Sequence, residues 1–538
     1  MINELKFSLP TDNLPGSLRF INRVKLTDSR LVLACFCIGF FVRLVPELLA
    51  FSSPIGFDTI HYAYVLKSGV IAPHWSAFFT SSRLLYVIIV PLFGFLQAEP
   101  FLFLKIVAPV LFGMNVAGIY WFSKKFLGWN LKMGLFSAVF FSLQLASLRI
   151  GWDLLRNMFG LGILLFALSF VKSVGGKRGF ALFTSLSLLT VFAHEYSAVI
   201  LLSSVLGLVA WKWVKRETEE TLKPLILGVL PAFFAFLAGL YFRLCPIQYV
   251  VESNVIAASD AANGSSGALF LVDYTRIQTS VDSYGSYSSL VLNVGLLFAV
   301  LFLPYLVLVV KGFFKNGVLN LWTAVLLVGA FGCLVIPFSA IEYWHRWMFM
   351  LAYPFTFYAV SGLARLQGVF PEKGVNLSRM FSNRTSAVAL LLTFGLGSAY
   401  LAAPVITAHS GSIGESSIPN ILVYFSASPT VPYTDVNDVV RAMNWLSHNM
   451  SPTSSVVLQH AFVNWGRLYL DESQMIVEFE RNAFAAMSTV AEQGFTRAYF
   501  VWWNVPIGWY GVSVPNGFVS VQDFGRLSVY AYEGELSA

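Results

Sequence analysis

Charge is what this sequence has least of. Only 12% of its 538 residues are Asp, Glu, Lys or Arg, roughly half the share a soluble domain carries. Set beside 57% hydrophobic residues, that shortage excludes a chain folded wholly in water. Cysteine is scarce as well: Cys35, Cys37, Cys245 and Cys333 lie in or beside apolar stretches, and residues 407–538 hold none. No disulfide framework is needed, and Cys35-Phe36-Cys37, without His or acidic neighbours, reads as packing rather than a metal site. No Lys/Arg run is long enough for a nucleic-acid patch. There is no P-loop, no Rossmann glycine fingerprint, no clear Asp-x-Asp metal pair, no internal repeat and no low-complexity tract. Neither cofactor nor metal is expected.

Apolar runs of near-spanning length are what the chain has in abundance. They recur between residues 31 and 404, which predicts a polytopic α-helical membrane protein. The first thirty residues carry Lys6, Arg19, Arg23, Lys25 and Arg30 and lack a signal-peptide pattern, so the start is expected on the cytoplasmic side. Span 31–51 then crosses outward. Residues 84–96 are apolar but short and broken by Pro91, which suits a re-entrant or interfacial helix. Further spans are expected at 101–122, 133–148, 158–171, 180–192, 198–213, 224–244, 290–310, 318–340, 348–363 and 387–404, about eleven in all.

The basic residues test that frame. If 84–96 does not cross, Lys124, Lys125, Lys132 and the basic loops 172–178, 212–223, 311–315 and 365–384 all fall inside, as the positive-inside rule requires. If it does cross, every one of them moves outside. The net charge of +7 is then topology-setting Lys and Arg, with attraction to anionic membrane lipids. The expected localisation is a multi-pass plasma-membrane protein with an external C-terminal part.

The chain divides into a membrane domain, 1–406, and an external soluble α/β domain, 407–538. In the latter, 436–450 is an amphipathic helix with Asp435 or Asn437 as N-cap. Strand-like runs follow at 455–458, 475–479, 497–503 and 527–532, with a helical pattern at 481–493. The polar connection 245–289 is expected outside and mobile.

Four polar clusters share the outer face in this topology. Asp58, His61 and Tyr62 stand at i, i+3 and i+4 in Gly56-Phe57-Asp58-Thr59-Ile60-His61-Tyr62-Ala63-Tyr64. Arg149 and Trp152 accompany Asp153, Arg156 and Asn157, and Glu342, His345 and Arg346 repeat the same spacing. His194-Glu195-Tyr196 lies at an outer turn. Each cluster has a plain alternative: Asp58 as a solvated loop carboxylate, Arg156 paired with Asp153, His194 bonded at a helix end, Arg346 as an interfacial anchor. Arg43 and Glu47, four apart in the first span, are expected to pair with each other. Taken together, ionisable groups gathered on one leaflet predict a single polar cavity, since such residues near lipid face the bundle interior.

Glycosyl transfer from a lipid phosphate needs such a cavity. A carboxylate accepts the proton of an attacking hydroxyl, and Arg and His stabilise a phosphate that gains charge as it departs. The pattern resembles the GT-C superfamily of membrane glycosyltransferases: one span, Gly56-Phe57-Asp58-Thr59 in a long first external loop, Trp152-Asp153 in the second, and an external C-terminal domain. That superfamily includes protein O-mannosyltransferases, lipid A aminoarabinose transferases and oligosaccharyltransferases, and the phrasing from Arg43-Leu44-Val45-Pro46 looks most similar to archaeal members. The resemblance covers about residues 31–404 in architecture, and Asp58 and Asp153 by motif.

It implies Asp58 as catalytic base or acceptor-orienting acid, Asp153 as its supporting acid, and Arg346, with His345 and Arg156, at the lipid phosphate. His61, Tyr62, His194, Glu195 and Glu342 would line the acceptor side or the cavity. It further implies an inverting enzyme, a polyprenyl (dolichyl) phosphate-linked sugar as donor, and a glycan, lipid or protein as acceptor. Trp502-Trp503-Asn504 lacks the acid of the oligosaccharyltransferase motif it resembles, which argues against sequon-directed transfer. The alternative function is a transporter or flippase of lipid-linked sugars, which predicts repeated halves that the sequence does not show. A third, a structural or adhesive surface protein, leaves the four clusters unexplained.

Overall fold

The computed structural model describes residues 28–51, 53–72, 82–216, 219–244, 254–258, 287–335, 340–367, 383–404, 429–479, 482–504 and 513–532. The basic N-terminal segment and the 406/407 boundary lie outside the described residues. The first part of the chain is helical: α1 (Asp28–Leu49), α2 (Thr59–Ser68), α3 (Leu84–Leu96), α4 (Pro100–Lys125), α5 (Leu131–Leu143), α6 (Leu145–Asp153) and α7 (Leu155–Ser169). It continues through α8 (Lys177–Ala193), α9 (Glu195–Val214), α10 (Glu219–Leu244), α11 (Tyr287–Gly312), α12 (Gly317–Phe331), α13 (Ala340–Met350), α14 (Ala352–Leu366) and α15 (Arg384–Leu401).

Among the described residues nine helices are long and apolar enough to cross a membrane, and α5 with α6 makes a tenth, bent by 62°. α8 is 17 residues long, but it covers the same thickness as its neighbour. A Cβ at Gly160, near the start of α7, would meet His194 at the end of α8, so α8 returns to the level from which α7 departs. The thirteen-residue α3 remains too short to cross, as expected of residues 84–96.

The expected single span at 133–148 is instead broken at Gln144. The break is tolerable in an apolar medium because its polar groups are satisfied inside the protein. Gln144 Nε2 donates to Thr356 Oγ1 at 2.7 Å and to the Ala352 carbonyl at 3.2 Å, and the Tyr305 hydroxyl donates to Gln144 Oε1. Ser147 Oγ donates to the Gln144 carbonyl at 2.8 Å. The turn aims α6, and with it Asp153, across the bundle end. α13 and α14 together form a candidate span, Tyr343–Leu366, whose most apolar stretch is completely buried, so it runs through the middle of the bundle.

The C-terminal part folds into α16 (Val436–Asn449), β2 (Ser454–Gln459), α17 (His460–Tyr469), β3 (Met475–Phe479), α18 (Ala483–Glu492), β4 (Arg497–Trp503), β5 (Phe518–Asp523) and β6 (Leu527–Tyr532). The expected strands and both helical patterns are present, and α17 and β5 are additional. Strands β2, β3 and β4 pair in parallel, and β2 and β4 are almost wholly buried on both faces, as parallel strands covered by helices are. β6 and β5 add on antiparallel beyond β4.

The outermost strand was not expected. β1 (Val255–Ala257) comes from within the polar connection 245–289 and pairs in parallel with β3, Val255 opposite Ile476. A segment between two membrane helices thus completes the C-terminal sheet, so that connection and the sheet share one side of the bundle. α17 also packs on α2: Lys67 Nζ donates to the Leu468 carbonyl at 2.6 Å, and Arg467 lies 5.7 Å from the Tyr64 ring. Phe101 of α4 meets Trp465 at 6.1 Å.

Candidate functional site

The loop that follows α1 ends in a left-handed turn at Gly56, φ +86°, before Asp58 takes the N-cap position of α2. Phe57 donates its amide to Asp153 Oδ2 at 2.9 Å, and Arg149 holds Asp153 Oδ1 at 2.6 Å. Both oxygens of Asp153 are therefore engaged and its side chain is buried. The plain alternative of an Asp153–Arg156 pair is not what forms: Arg149, one turn earlier on α6, takes that place. Asp153 is a clamp on the loop that presents Asp58.

Asp58 itself makes no side-chain capping bond. Its Oδ2 faces Arg346 Nη2 at 3.7 Å, beyond hydrogen-bond length, and Arg346 Nε is buried with no partner among the described residues. Burial pushes the Asp58 carboxyl above the usual carboxylate range, Arg346 opposes that shift, and Asp153 adds to it. Arg346 also stacks on Tyr343, 4.8 Å from the ring centroid. A largely buried carboxylate and an under-satisfied guanidinium thus face each other as a loose ion pair.

The side of α2 seen in the sequence is also there. Burial, with Arg156, Arg83 and Arg467 nearby, pushes His61 down to about 4, and a contact with Asn464 of α17 opposes that. His61 is therefore neutral near pH 7 and sits at the seam with the sheet domain. The Tyr62 hydroxyl accepts from the Arg156 amide at 3.4 Å. Its ring lies 6.0 Å from Tyr86, towards which the guanidiniums of Arg83 (5.3 Å) and Arg156 (5.9 Å) also turn.

The third cluster is closer to scaffold. His194 Nδ1 accepts from the Tyr196 amide at 3.2 Å and so caps α9. Tyr196 in turn stacks on Trp347 at 4.7 Å, beside Arg346. His345 makes ring contacts with Trp344 and Phe349 at 5.9 and 6.0 Å. The side chain of Glu342 lies outside the described residues.

All four clusters therefore meet at one end of the bundle. With Arg83, they bring four guanidiniums, Arg83, Arg149, Arg156 and Arg346, and four carboxylates, Asp58, Asp153, Glu195 and Glu342. Asp58 itself lies within electrostatic reach of Arg346, Arg156 and Arg149, with Asp153 beside them, a local setting that suits an anion. Arg83 and Tyr86, Asn464 and Arg467 were not singled out from the sequence. Arg83 carried one signal, a lone cation at the head of the short apolar helix 84–96. The α17 residues carried none, because their place depends on how the domain docks. Trp502-Trp503-Asn504 is structural: both tryptophans are buried, Trp503 Nε1 donates to Asp435 Oδ2 at 2.8 Å, and Asn504 bonds Gly525 and Asp523.

No protein-family model matches this chain, and no curated protein matches it in sequence. Among solved structures, the arabinofuranosyltransferase AftD from Mycobacteria is similar over 95% of this chain, with 13% identity and a TM-score of 0.51. This chain spans 40% of AftD's length. ArnT from Cupriavidus metallidurans, solved bound to undecaprenyl phosphate, is similar over 94% of this chain and 98% of its own, with 13% identity and a TM-score of 0.44. The oligosaccharyltransferase AglB from Archaeoglobus fulgidus, in complex with an inhibitory peptide and a dolichol-phosphate, is similar over 88% and 69%, at 13% identity and 0.45. The fold is like that of AftD: a bundle of apolar helices, nine of them in the described residues long enough to span a membrane, with a C-terminal sheet domain. At such identities the likeness speaks for the fold alone.

Proposed function

We propose that this protein is an inverting glycosyltransferase that moves a sugar from a polyprenyl phosphate-linked donor to an acceptor on the external face of the membrane. The observation that carries the reading is the gap between Asp58 and Arg346, rimmed by Arg83 and Arg156 at the end of an apolar bundle. A lipid-anchored donor reaches such a site sideways between helices, its phosphate among the guanidiniums and its sugar towards Asp58.

The acceptor hydroxyl attacks the anomeric carbon as Asp58 takes its proton. The bond from that carbon to the phosphate oxygen breaks, and its electron pair leaves with the lipid phosphate. Attack opposite the leaving group inverts the anomeric configuration. A carboxylate with a raised pKa is a better base for this step than an ordinary one, and Arg346, with Arg156 and Arg83, stabilises the charge gained by the phosphate. Asp153 keeps the Asp58 loop seated. Residues 407–538 act as a cap whose α17, through Asn464 and Arg467 beside His61, shapes the acceptor side. The basic loops support a cytoplasmic start and an external site.

The test offers purified protein polyprenyl-phosphate sugars with glycan, lipid and peptide acceptors and follows release of the lipid phosphate and the anomeric form of the product. Arg346→Ala should weaken donor binding and slow release. No release with any donor, or retention of configuration, refutes the reading. Orientation is checked in intact cells: cysteines at Gly69 and Glu472 should react with an impermeant reagent, and those at Lys124 and Lys212 should not.

A further inference from the structure

Two helix ends lead into the segments that carry the acids. α1 ends shortly before the Asp58 loop, and α6 ends at Asp153 itself. The last carbonyls of a helix have no partner within it, and beside lipid each must find one in the protein. Two cationic side chains, the buried Arg43 and the largely buried Lys105, supply those partners. Arg43 Nε donates to the Gly151 carbonyl at 2.7 Å and Nη2 to that of Trp152 at 3.3 Å, near the end of α6. Lys105 Nζ donates to the Glu47 carbonyl at 3.2 Å, near the end of α1, and to the Ser53 carbonyl at 3.0 Å, in the loop beyond it.

Glu47 joins the two cations. Its Oε1 meets Arg43 Nη2 at 2.7 Å and its Oε2 meets Lys105 Nζ at 3.2 Å. Arg43 is wholly buried and Glu47 nearly so. Cations suit helix C-termini, but a buried ion network is a poor source of stability, since apolar packing of the same volume often does as well. Specificity of geometry is the better account here, because the network closes a ring. From Glu47 it runs through Lys105 to Ser53, along the loop to Phe57, across the amide bond to Asp153, back to Trp152 and through Arg43 to Glu47.

We propose that Arg43, Glu47 and Lys105 form one positioning unit that sets the Asp58 loop against Asp153. None of the three approaches Asp58 or the anion gap; they act through the carbonyls they hold. The catalytic readout of this inference rests on the transfer reaction proposed above, and the structural readout does not.

The experiment compares wild type with Lys105→Met, Glu47→Gln and the conservative Lys105→Arg, using full-length protein in nanodiscs. Amide hydrogen exchange at Phe57 is read first. Lys105→Met and Glu47→Gln should speed it by at least about 10-fold, with β2 and β3 unchanged, and Lys105→Arg should restore protection. Turnover is read second: kcat should fall about 10- to 100-fold through misplacement of the base, while the donor KM stays within about twofold, as expected for loss of positioning alone. Val116→Ala, a cavity on the same α1–α4 seam at Gly39, is the control for general loosening.

Unchanged Phe57 exchange in Lys105→Met, or an equal rise in Val116→Ala, overturns the proposal. Loss of kcat without rescue by Lys105→Arg does so too. A wild type inactive with every donor, but with Phe57 exchange raised in Lys105→Met, supports the positioning unit and refutes the transfer reaction. Lys105→Gln replaces Lys105→Met should the latter not purify.

Discussion

Adding one methyl group at Gly56 is expected to disable the site without touching a charged residue. Gly56 has φ +86°, where an L side chain costs about 1–2 kcal/mol. The added Cβ would overlap Asp153 Cβ and lie 3.0 Å from its Cγ, whereas carbons in contact sit about 3.5–4.0 Å apart. Asp153 cannot retreat freely, because Arg149 holds it at 2.6 Å. The loop must therefore lift by roughly 1 Å, and the Phe57 amide loses its carboxylate, worth about 1.5–3 kcal/mol. Together with the backbone strain, that loss amounts to roughly 2.5–5 kcal/mol of stability. As the loop lifts, Asp58 moves with it, and a shift of about 1 Å costs on the order of 100-fold in rate. The assay measures kcat, donor affinity and thermal midpoint of Gly56→Ala in nanodiscs. A large fall in kcat with donor affinity nearly kept is the expected result. Turnover close to wild type would refute the argument that the Gly56–Asp153 contact positions the base.

Asp58→Asn should cut turnover about 100- to 10,000-fold, the usual cost of a lost general base, with donor binding little changed. Because the folded pKa of Asp58 is raised, its protonated form is favoured on folding; that stability is present below the ordinary carboxylate pKa and lost as pH rises through the raised one. Neutral Asn should therefore leave the thermal midpoint at pH 7 no lower than wild type, and the acid limb of wild-type turnover should lie above the ordinary carboxylate range. His61 works in the other direction: with its pKa lowered from 6.5 to about 4, the unfolded chain binds more protons between those values, so stability rises with pH across that window. His61→Gln should flatten that part of a melting-versus-pH curve. Trp503→Phe strips a donor from buried Asp435 and should destabilise the sheet domain by about 1–3 kcal/mol, with donor binding unaffected; a fall in donor affinity would show that the Trp502-Trp503 string reaches the substrate.

The membrane class of this protein was written in its composition, because a chain with so little charge and such long apolar runs has nowhere to fold but lipid. Helical spacing alone put Asp58, His61 and Tyr62 on one face and paired Arg43 with Glu47, since i, i+3 and i+4 neighbours are set by the backbone. Short runs of β-branched and aromatic residues likewise announced β2, β3, β4 and β6. Other features depended on contacts between distant segments, which local pattern does not encode. The break at Gln144 exists because Thr356 and Tyr305 stand ready to satisfy it. β1 is three residues that become a strand only where β3 offers an edge. Asp153 pairs with Arg149, one turn back on the same helix, because α6 ends at Asp153 and the non-helical Leu154 puts Arg156 on α7, outside the i, i+3 relation the sequence suggested. Lys105 lies more than fifty residues from Glu47 and Ser53 along the chain, and only the packing of α4 against α1 brings its ammonium to their carbonyls. Sequence determined which groups could do chemistry at a membrane surface; tertiary structure decided which of them face the gap and which hold the others in place.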